Sequence, residues 1–191
     1  MAEHSRRTRR HKGRGATANP VGRFQSTHSE PVHDDDADAD AERAPETSLT
    51  PEPARSIISR NRSPDVPFEQ SINPYRGCEH GCVYCFARPT HAYLDLSPGL
   101  DFETKLFYKP NAADLLEAEL RRPGYRPSPI AIGANTDPYQ PAERELGITR
   151  SLLEVLDRYN HPVALITKSA LVERDIDILA AMAKRGLARV T

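Results

Sequence analysis

Between Pro129 and Thr191, short apolar runs alternate with longer stretches whose apolar residues recur at helical spacing. That alternation restricts the chain to few architectures. "PIAIGA" (Pro129–Ala134), "PVALITK" from Pro162 and "LARVT" from Leu187 have the length and composition of buried strands. Between them, "TRSLLEVLDRYN" places Leu152, Leu153, Leu156 and Tyr159 on one helical face, with Thr149 near its start. "RDIDILAAMAKRG" does the same with Ile176, Leu179 and Ala183, and Gly186 is placed to end the helix. Upstream, "FEQSI" from Phe68 predicts a strand and "FETKLFY" (Phe102–Tyr108) an extended segment. Pro110-Asn111 opens a helix with Asn111 as cap, Asp114 in its first turn, and Leu115, Leu116 and Leu120 facing inward. Strands alternating with helices predict an α/β fold of βα units around a parallel sheet. In open and barrel versions alike, loops after the strand C-termini build the active face. The cysteine run, "NTDPYQ" and "KSALVERD" each follow a predicted strand, so all three are expected on that face.

The whole 191-residue chain is too polar to be globular throughout, with a mean hydropathy of -0.63 and 17 prolines. Residues 1–67 hold long charged and Pro/Ala/Thr/Ser stretches, predicting a disordered tail and a Pro-rich linker. Residues 68–191 carry the apolar patterning and form the expected folded domain. A near-zero net charge conceals a split in the tail. Arg6, Arg7, Arg9, Arg10, Lys12, Arg14 and Arg23 form a basic arm, followed by an acidic run through Asp34, Asp35, Asp36, Asp38, Asp40 and Glu42. Such blocks are ordinarily solvated, and the sharper alternative is an arm that meets nucleic-acid phosphates or folds back on the acidic run. No apolar run approaches the roughly 18 residues of a membrane span, and the arginine-rich start lacks a secretory apolar stretch. Clustered cysteines suit a reducing compartment, so a cytoplasmic protein is expected.

Every cysteine lies in "RGCEHGCVYCFAR": Cys78, Cys82 and Cys85, spaced C-x3-C-x2-C. A structural zinc site needs a fourth ligand, for which His80 or His91 is available, and zinc ligands usually come as two separated pairs. Cysteine thiolates also hold iron–sulfur clusters, one per iron in a [4Fe–4S] cube, so three leave one iron open to a substrate or cofactor.

With an aromatic, Tyr84, before its third cysteine, "CEHGCVYC" resembles the signature of radical S-adenosylmethionine (radical SAM) enzymes. "SINPYRGCEHGCVYCFARPTHAYL", "GANTDPYQPAE" and "ITKSALVERD", in this order, resemble the spore photoproduct lyase-like branch, as does "KGRGATANPVGRF" near the start. The resemblance implies a partial (β/α) barrel of the radical SAM type, a [4Fe–4S] cluster on Cys78, Cys82 and Cys85, and S-adenosylmethionine as cosubstrate. It implies reductive cleavage of that cosubstrate to methionine and a 5′-deoxyadenosyl radical, which abstracts hydrogen from a substrate. An electron donor such as flavodoxin or ferredoxin would be the partner.

The resemblance also nominates cofactor contacts. Tyr84 and Phe86 would flank the adenine or the cluster, Asn135, Thr136 and Asp137 would meet the methionine ammonium, and Lys168 and Ser169 the carboxylate and ribose. Without the resemblance, "NTDP" is a good turn and Lys168 a lysine that reaches solvent from a strand end. Arg76 and Arg88 flank the cysteines, where they would stabilise an anionic cluster or a substrate phosphate, with a surface role as the plainer alternative. Spore photoproduct lyase itself has a hydrogen-donating cysteine in the loop matching Gly133–Asn135, and none stands here, so the substrate stays open. The family core has about six βα units. This sequence shows roughly half of them, which predicts the N-terminal portion of a longer protein, with catalysis in doubt for this portion alone. The rival from another class is a non-enzymatic zinc module with a basic nucleic-acid-binding arm.

Overall fold

A computed structural model describes residues 13–24 and 45–191. In chain order its strands are β1 (Ser48–Pro51), β2 (Ser59–Arg60), β3 (Gln70–Ile72), β4 (Tyr75–Arg76), β5 (Lys105–Tyr108), β6 (Ile130–Ile132), β7 (Val163–Leu165) and β8 (Ala188–Val190). Its helices are α1 (Leu100–Thr104), α2 (Ala112–Leu120), α3 (Glu143–Leu146), α4 (Ile148–Arg158) and α5 (Ile176–Lys184). The described residues divide into two compact units, one drawn from those within Met1–Ser48 and from Gly77–Leu106, the other from Leu49–Arg76 and Phe107–Thr191.

The second unit is built on a five-stranded sheet in the order β2-β3-β6-β7-β8. β2 runs antiparallel to β3, and the other pairs are parallel, with Ile72 opposite Ile132 and Ile132 opposite Leu165. The parallel strands lie side by side in chain order. Right-handed crossovers in one direction then place successive helices on the same face of the sheet. α2 packs on α4 and α4 on α5 accordingly. Ile130, Ile132, Val163 and Leu165 meet Leu116, Leu152, Leu156, Leu179 and Met182 in one core. Each such side chain contributes about 1.5–3 kcal/mol by leaving water. Strand alternation turns Ala131 the other way, where Ala131, Ala164, Ile166, Arg189 and the 60–69 segment border a cavity of about 1130 Å³.

The mixed α/β class expected from the sequence is present, and the described strands form two sheets, β1-β5-β4 and β2-β3-β6-β7-β8, neither closed into a barrel. Among the described residues, no helix is long and apolar enough to cross a membrane.

Three local expectations differ from the structure. On α5 the inward residues are Leu179 and Met182, whereas Ile176 is 64% exposed and Ala183 is exposed. Two helical stripes fit the same periodicity, and contact with the sheet selects between them. "FETKLFY" is extended only from Lys105; its first residues complete α1, where the Asp101 and Glu103 carboxylates are buried. Finally, two stretches of the expected tail and linker are built into the units. Residues 13–24 hydrogen-bond to α1 through Gly15, Ala16 and Asn19. Residues 45–67 supply β1, β2 and the buried Ile57 and Ile58, with the Ile57 amide donating to Glu119 Oε1 at 2.7 Å. Composition registers few apolar residues there, but it does not register buried carboxylates that satisfy backbone donors. The basic residues Arg6 to Lys12 and the acidic run from Asp34 to Glu42 lie outside the described residues.

The first unit has a small apolar cluster of Cys78, Ala87 and Phe102, with Cys85 packed against it. The cysteine loop leads into a 3-10 stretch, Arg88–Leu94, and returns through α1.

Candidate functional site

The cysteine loop begins after β4 at Gly77, whose φ of 78° suits glycine. A Cβ there would lie 2.8 Å from the Phe102 carbonyl oxygen. That close approach lets the Cys78 amide donate to the same carbonyl at 2.9 Å, anchoring the first cysteine on α1. Cys78 is buried, Cys82 and Cys85 are half-buried, and no disulfide joins them. The Cys85 amide donates to the Cys82 carbonyl at 3.2 Å, closing a tight turn. Arg88, a candidate for the surface, is instead a staple inside this unit. Its Nε donates to the Cys82 carbonyl at 3.1 Å, and its Nη1 donates to the Pro98 and Gly99 carbonyls. Its Nη2 pairs with the fully buried Glu103.

Tyr84 and Phe86, the candidate stacking residues, are 79% and 75% exposed. His91 is fully buried, with Nε2 2.9 Å from the Lys105 carbonyl and its ring edge-on to Phe102 at 5.3 Å. It therefore serves as a core residue. Among the described residues, no three His, Cys, Asp or Glu side chains are gathered as a metal site. The donor set itself is all sulfur, on one loop and without a disulfide, which is the chemistry an iron–sulfur cluster requires.

The remaining candidates lie in the second unit, at the C-terminal ends of β6 and β7. Gly133 ends β6 with φ 89°, and a Cβ there would lie 2.2 Å from the Ile166 carbonyl oxygen. The two loops are thus in direct contact. The Asn135 amide donates to Asn73 Oδ1 at 3.0 Å, and the buried Thr136 hydroxyl donates to the Tyr75 carbonyl at 3.0 Å. Asp137 ties one loop to the other. Its Oδ1 accepts from the Thr167 hydroxyl at 2.7 Å and from the Tyr139 amide at 2.9 Å, and its Oδ2 accepts from the Lys168 amide at 3.1 Å. The Lys168 side chain is exposed, and Ser169 caps the 3-10 turn over Ala170–Asp175. The structure therefore brings Asn135, Thr136, Asp137, Lys168 and Ser169 together in this unit, while Cys78, Cys82, Cys85, Tyr84 and Phe86 belong to the other. Arg76 pairs with Glu52 at 3.1 Å.

Sequence reasoning passed over the charged network beneath these loops. Glu143 is fully buried, accepts from the Tyr75 hydroxyl and from the Thr149 amide at 2.9 Å, and pairs with Arg174 at 2.7 Å. Asp175, also fully buried, accepts from Tyr139 at 2.9 Å and pairs with Arg174 and Arg150 at 2.8 and 3.0 Å. Burial, then the neighbouring Glu143 charge, pushes the Tyr75 hydroxyl pKa well above its ordinary value. Burial and Asp175 do the same to Tyr139. Both phenols are permanent donors. The available signal was the acid at the end of "NTDPYQPAE" and the "ERD" of "KSALVERD", charged residues inside the same two strand-end motifs.

Fold and sites together define a mixed α/β protein with a three-cysteine loop in one unit and two braced strand-end loops in the other. A protein of Mycobacterium bovis is 45% identical over 120 residues, which span 63% of this chain and 35% of that protein. One from Mycobacterium tuberculosis strain H37Rv gives the same values. A protein of Methanocaldococcus jannaschii is 29% identical over 107 residues, spanning 56% of this chain and 38% of that protein. All three are described as uncharacterized. The chain thus spans about a third of the length of the curated relatives it matches. No family model and no solved structure matches it.

Proposed function

We propose that this chain carries the cluster loop and first βα units of a radical SAM enzyme of the spore photoproduct lyase-like branch. The observation that carries the proposal is the loop itself. Cys78, Cys82 and Cys85 at C-x3-C-x2-C spacing, without a disulfide, come in chain order between β3 and β6, the first two parallel strands of a sequentially ordered sheet, just after the short strand β4. That strand order is the one an arc of a (β/α) barrel has. The three thiolates would hold a [4Fe–4S] cluster, and the strand-end loops at Asn135–Asp137 and Lys168–Ser169 would meet S-adenosylmethionine. When bound, the cluster would supply the electron that splits the cosubstrate into methionine and a 5′-deoxyadenosyl radical, replenished by a donor such as flavodoxin or ferredoxin.

The chain's own residues support the site by position. Arg88 fixes the Cys82 carbonyl, and Asp137 fixes the geometry between the loops after β6 and β7. Asp137 thus acts as a brace, and an ammonium contact would be an addition to that role. A cytoplasmic location fits oxygen-sensitive cluster chemistry. The zinc rival loses one of its two candidate fourth ligands, because His91 is held in the core.

Anaerobic reconstitution with iron and sulfide tests the proposal. The expected product is a brown protein with both bound, and alanine at any one of Cys78, Cys82 or Cys85 should abolish the intact cluster. A colourless chain that binds zinc and neither iron nor sulfide would overturn it.

A further inference from the structure

Glu103 on α1 is a fully buried carboxylate, which is unfavourable unless it is paired and hydrogen-bonded. Its partners come from two directions. From the N-terminal segment, the Gly15 amide donates to Oε2 and the Ala16 amide to Oε1, both at 2.9 Å. Two successive backbone N–H groups converging on one carboxylate make a preformed anion-binding site. From the cysteine loop, Arg88 pairs with Oε1 and also holds the Cys82 carbonyl.

The same segment reaches the loop independently of Glu103. Arg14 Nη1 donates to the Glu103 backbone carbonyl at 2.8 Å and lies 3.9 Å from Glu79, the residue after Cys78. Its Nη2 donates to Thr47 Oγ1 at 2.8 Å and to the Pro45 carbonyl at 2.9 Å. A Cβ on Gly15 would fall 1.7 Å from the Gly81 carbonyl oxygen, so the segment's backbone rests directly on the cysteine loop. Further along, Asn19 exchanges two hydrogen bonds with Asp101, of 3.0 and 2.8 Å.

We infer that residues Arg14 to Asn19 are a fixed brace of the cysteine loop. Glu103 is the positioning residue that couples brace to loop through Arg88. The brace holds Cys78 in its buried place and the Cys82 turn in register, so loading of the loop depends on a segment about 60 residues away in sequence. The consequence for loading rests on the cluster proposal; the brace itself does not.

The test uses the full chain with Gly15→Ala, Ala16→Pro and Glu103→Gln. Two readouts are taken: the iodoacetamide alkylation rate of Cys78 in metal-free protein, and the iron and sulfide retained after anaerobic reconstitution. Gly15→Ala forces the segment off Gly81 and should raise Cys78 alkylation about tenfold or more through local opening, at unchanged far-UV circular dichroism. It should also lower retained iron. Ala16→Pro removes one donor to Glu103, and Glu103→Gln keeps an acceptor oxygen but loses the negative charge that pairs with Arg88, so both should fall between parent and Gly15→Ala. If a variant loses its circular dichroism, deletion of residues 1–24 with a synthetic peptide of residues 12–24 added in trans replaces it. Dose-dependent protection of Cys78 supports the brace, and no protection by the peptide overturns it. Unchanged Cys78 reactivity in every variant overturns the inference, whether or not iron retention changes. A parent chain that takes up no iron, with Cys78 still exposed by Gly15→Ala, leaves the brace standing and removes the cluster assignment.

Discussion

Arg174 Nη2 lies 2.7 Å from Glu143 Oε1, while Arg174 Nη1 donates to the Glu143 backbone carbonyl at 2.9 Å. One side chain thereby fastens the end of the "NTDPYQPAE" loop to the end of "KSALVERD". The site's polar residues sit on top of a buried ion network rather than on solvated turns.

Breaking that fastening should be costly. Arg174→Ala leaves Glu143 and Asp175 as buried carboxylates short of a partner, and about 3–5 kcal/mol of unfolding free energy should be lost. Urea denaturation of the variant against the parent measures it. A loss under about 0.5 kcal/mol, typical of surface substitutions, would show that the network does not hold the loops.

Asp175 sets an acid limb. Burial by itself opposes its ionisation, but hydrogen bonds from Arg174, Arg150 and Tyr139 outweigh that and keep its pKa below the ordinary carboxylate value. A carboxyl group depressed in the folded state stabilises above its unfolded pKa of about 3.9, and that stability is lost as pH falls through the folded value. Asp175→Asn should therefore be less stable than the parent at pH 6, and the gap should narrow below about pH 4. Urea midpoints across that range report it.

His161 gives a second pH dependence of its own. Burial lowers its pKa, only partly offset by the Pro162 carbonyl 3.0 Å from Nδ1, and Nε2 lies 2.8 Å from the Tyr125 hydroxyl. The neutral ring is the folded form, so the unfolded chain binds the proton first. Stability should decline as pH falls below about 6.5, and His161→Gln should flatten that decline in thermal melts.

Gly133→Ala should separate the loops after β6 and β7. The added methyl would meet the Ile166 carbonyl oxygen at 2.2 Å, on a backbone with φ 89°. A cost of about 1–3 kcal/mol is expected from the conformation alone. Hydrogen exchange should show the greatest loss of protection at the Ile166 amide, which donates to the Ile132 carbonyl at 2.9 Å.

Tyr84→Ala and Phe86→Ala should leave the melting temperature nearly unchanged, because both side chains are mostly exposed and substitutions there usually stay within about 0.5 kcal/mol. Calorimetric titration of reconstituted protein with S-adenosylmethionine should show weakened binding for both. Unaltered affinity would remove them from the cofactor site.

Much of this fold was legible because its strands and helices are short and strongly patterned. β3, β6, β7, β8, α2 and α5 fall within the predicted segments, and α4 begins one residue before its own, at Ile148. Turn chemistry was legible too, as at Gly186, which follows α5 with φ 71°. The inward face of α5 was not, since Ile176 and Met182 are equivalent to a periodicity and only the sheet distinguishes them. Asn111 shows the same limit. It occupies the cap position of α2, yet its side chain bonds the Ala54 backbone instead of the helix.

Sequence alone determined the α/β alternation, the glycine-bearing turns and the three thiols on one loop, because each depends on residues close together in the chain. Tertiary structure decided what the buried charges do. Glu143, Asp175 and Glu103 read as ordinary acids until partners 31, 25 and 88 residues away reach them. A carboxylate leaves water only where such partners converge, and that convergence is a property of the folded chain.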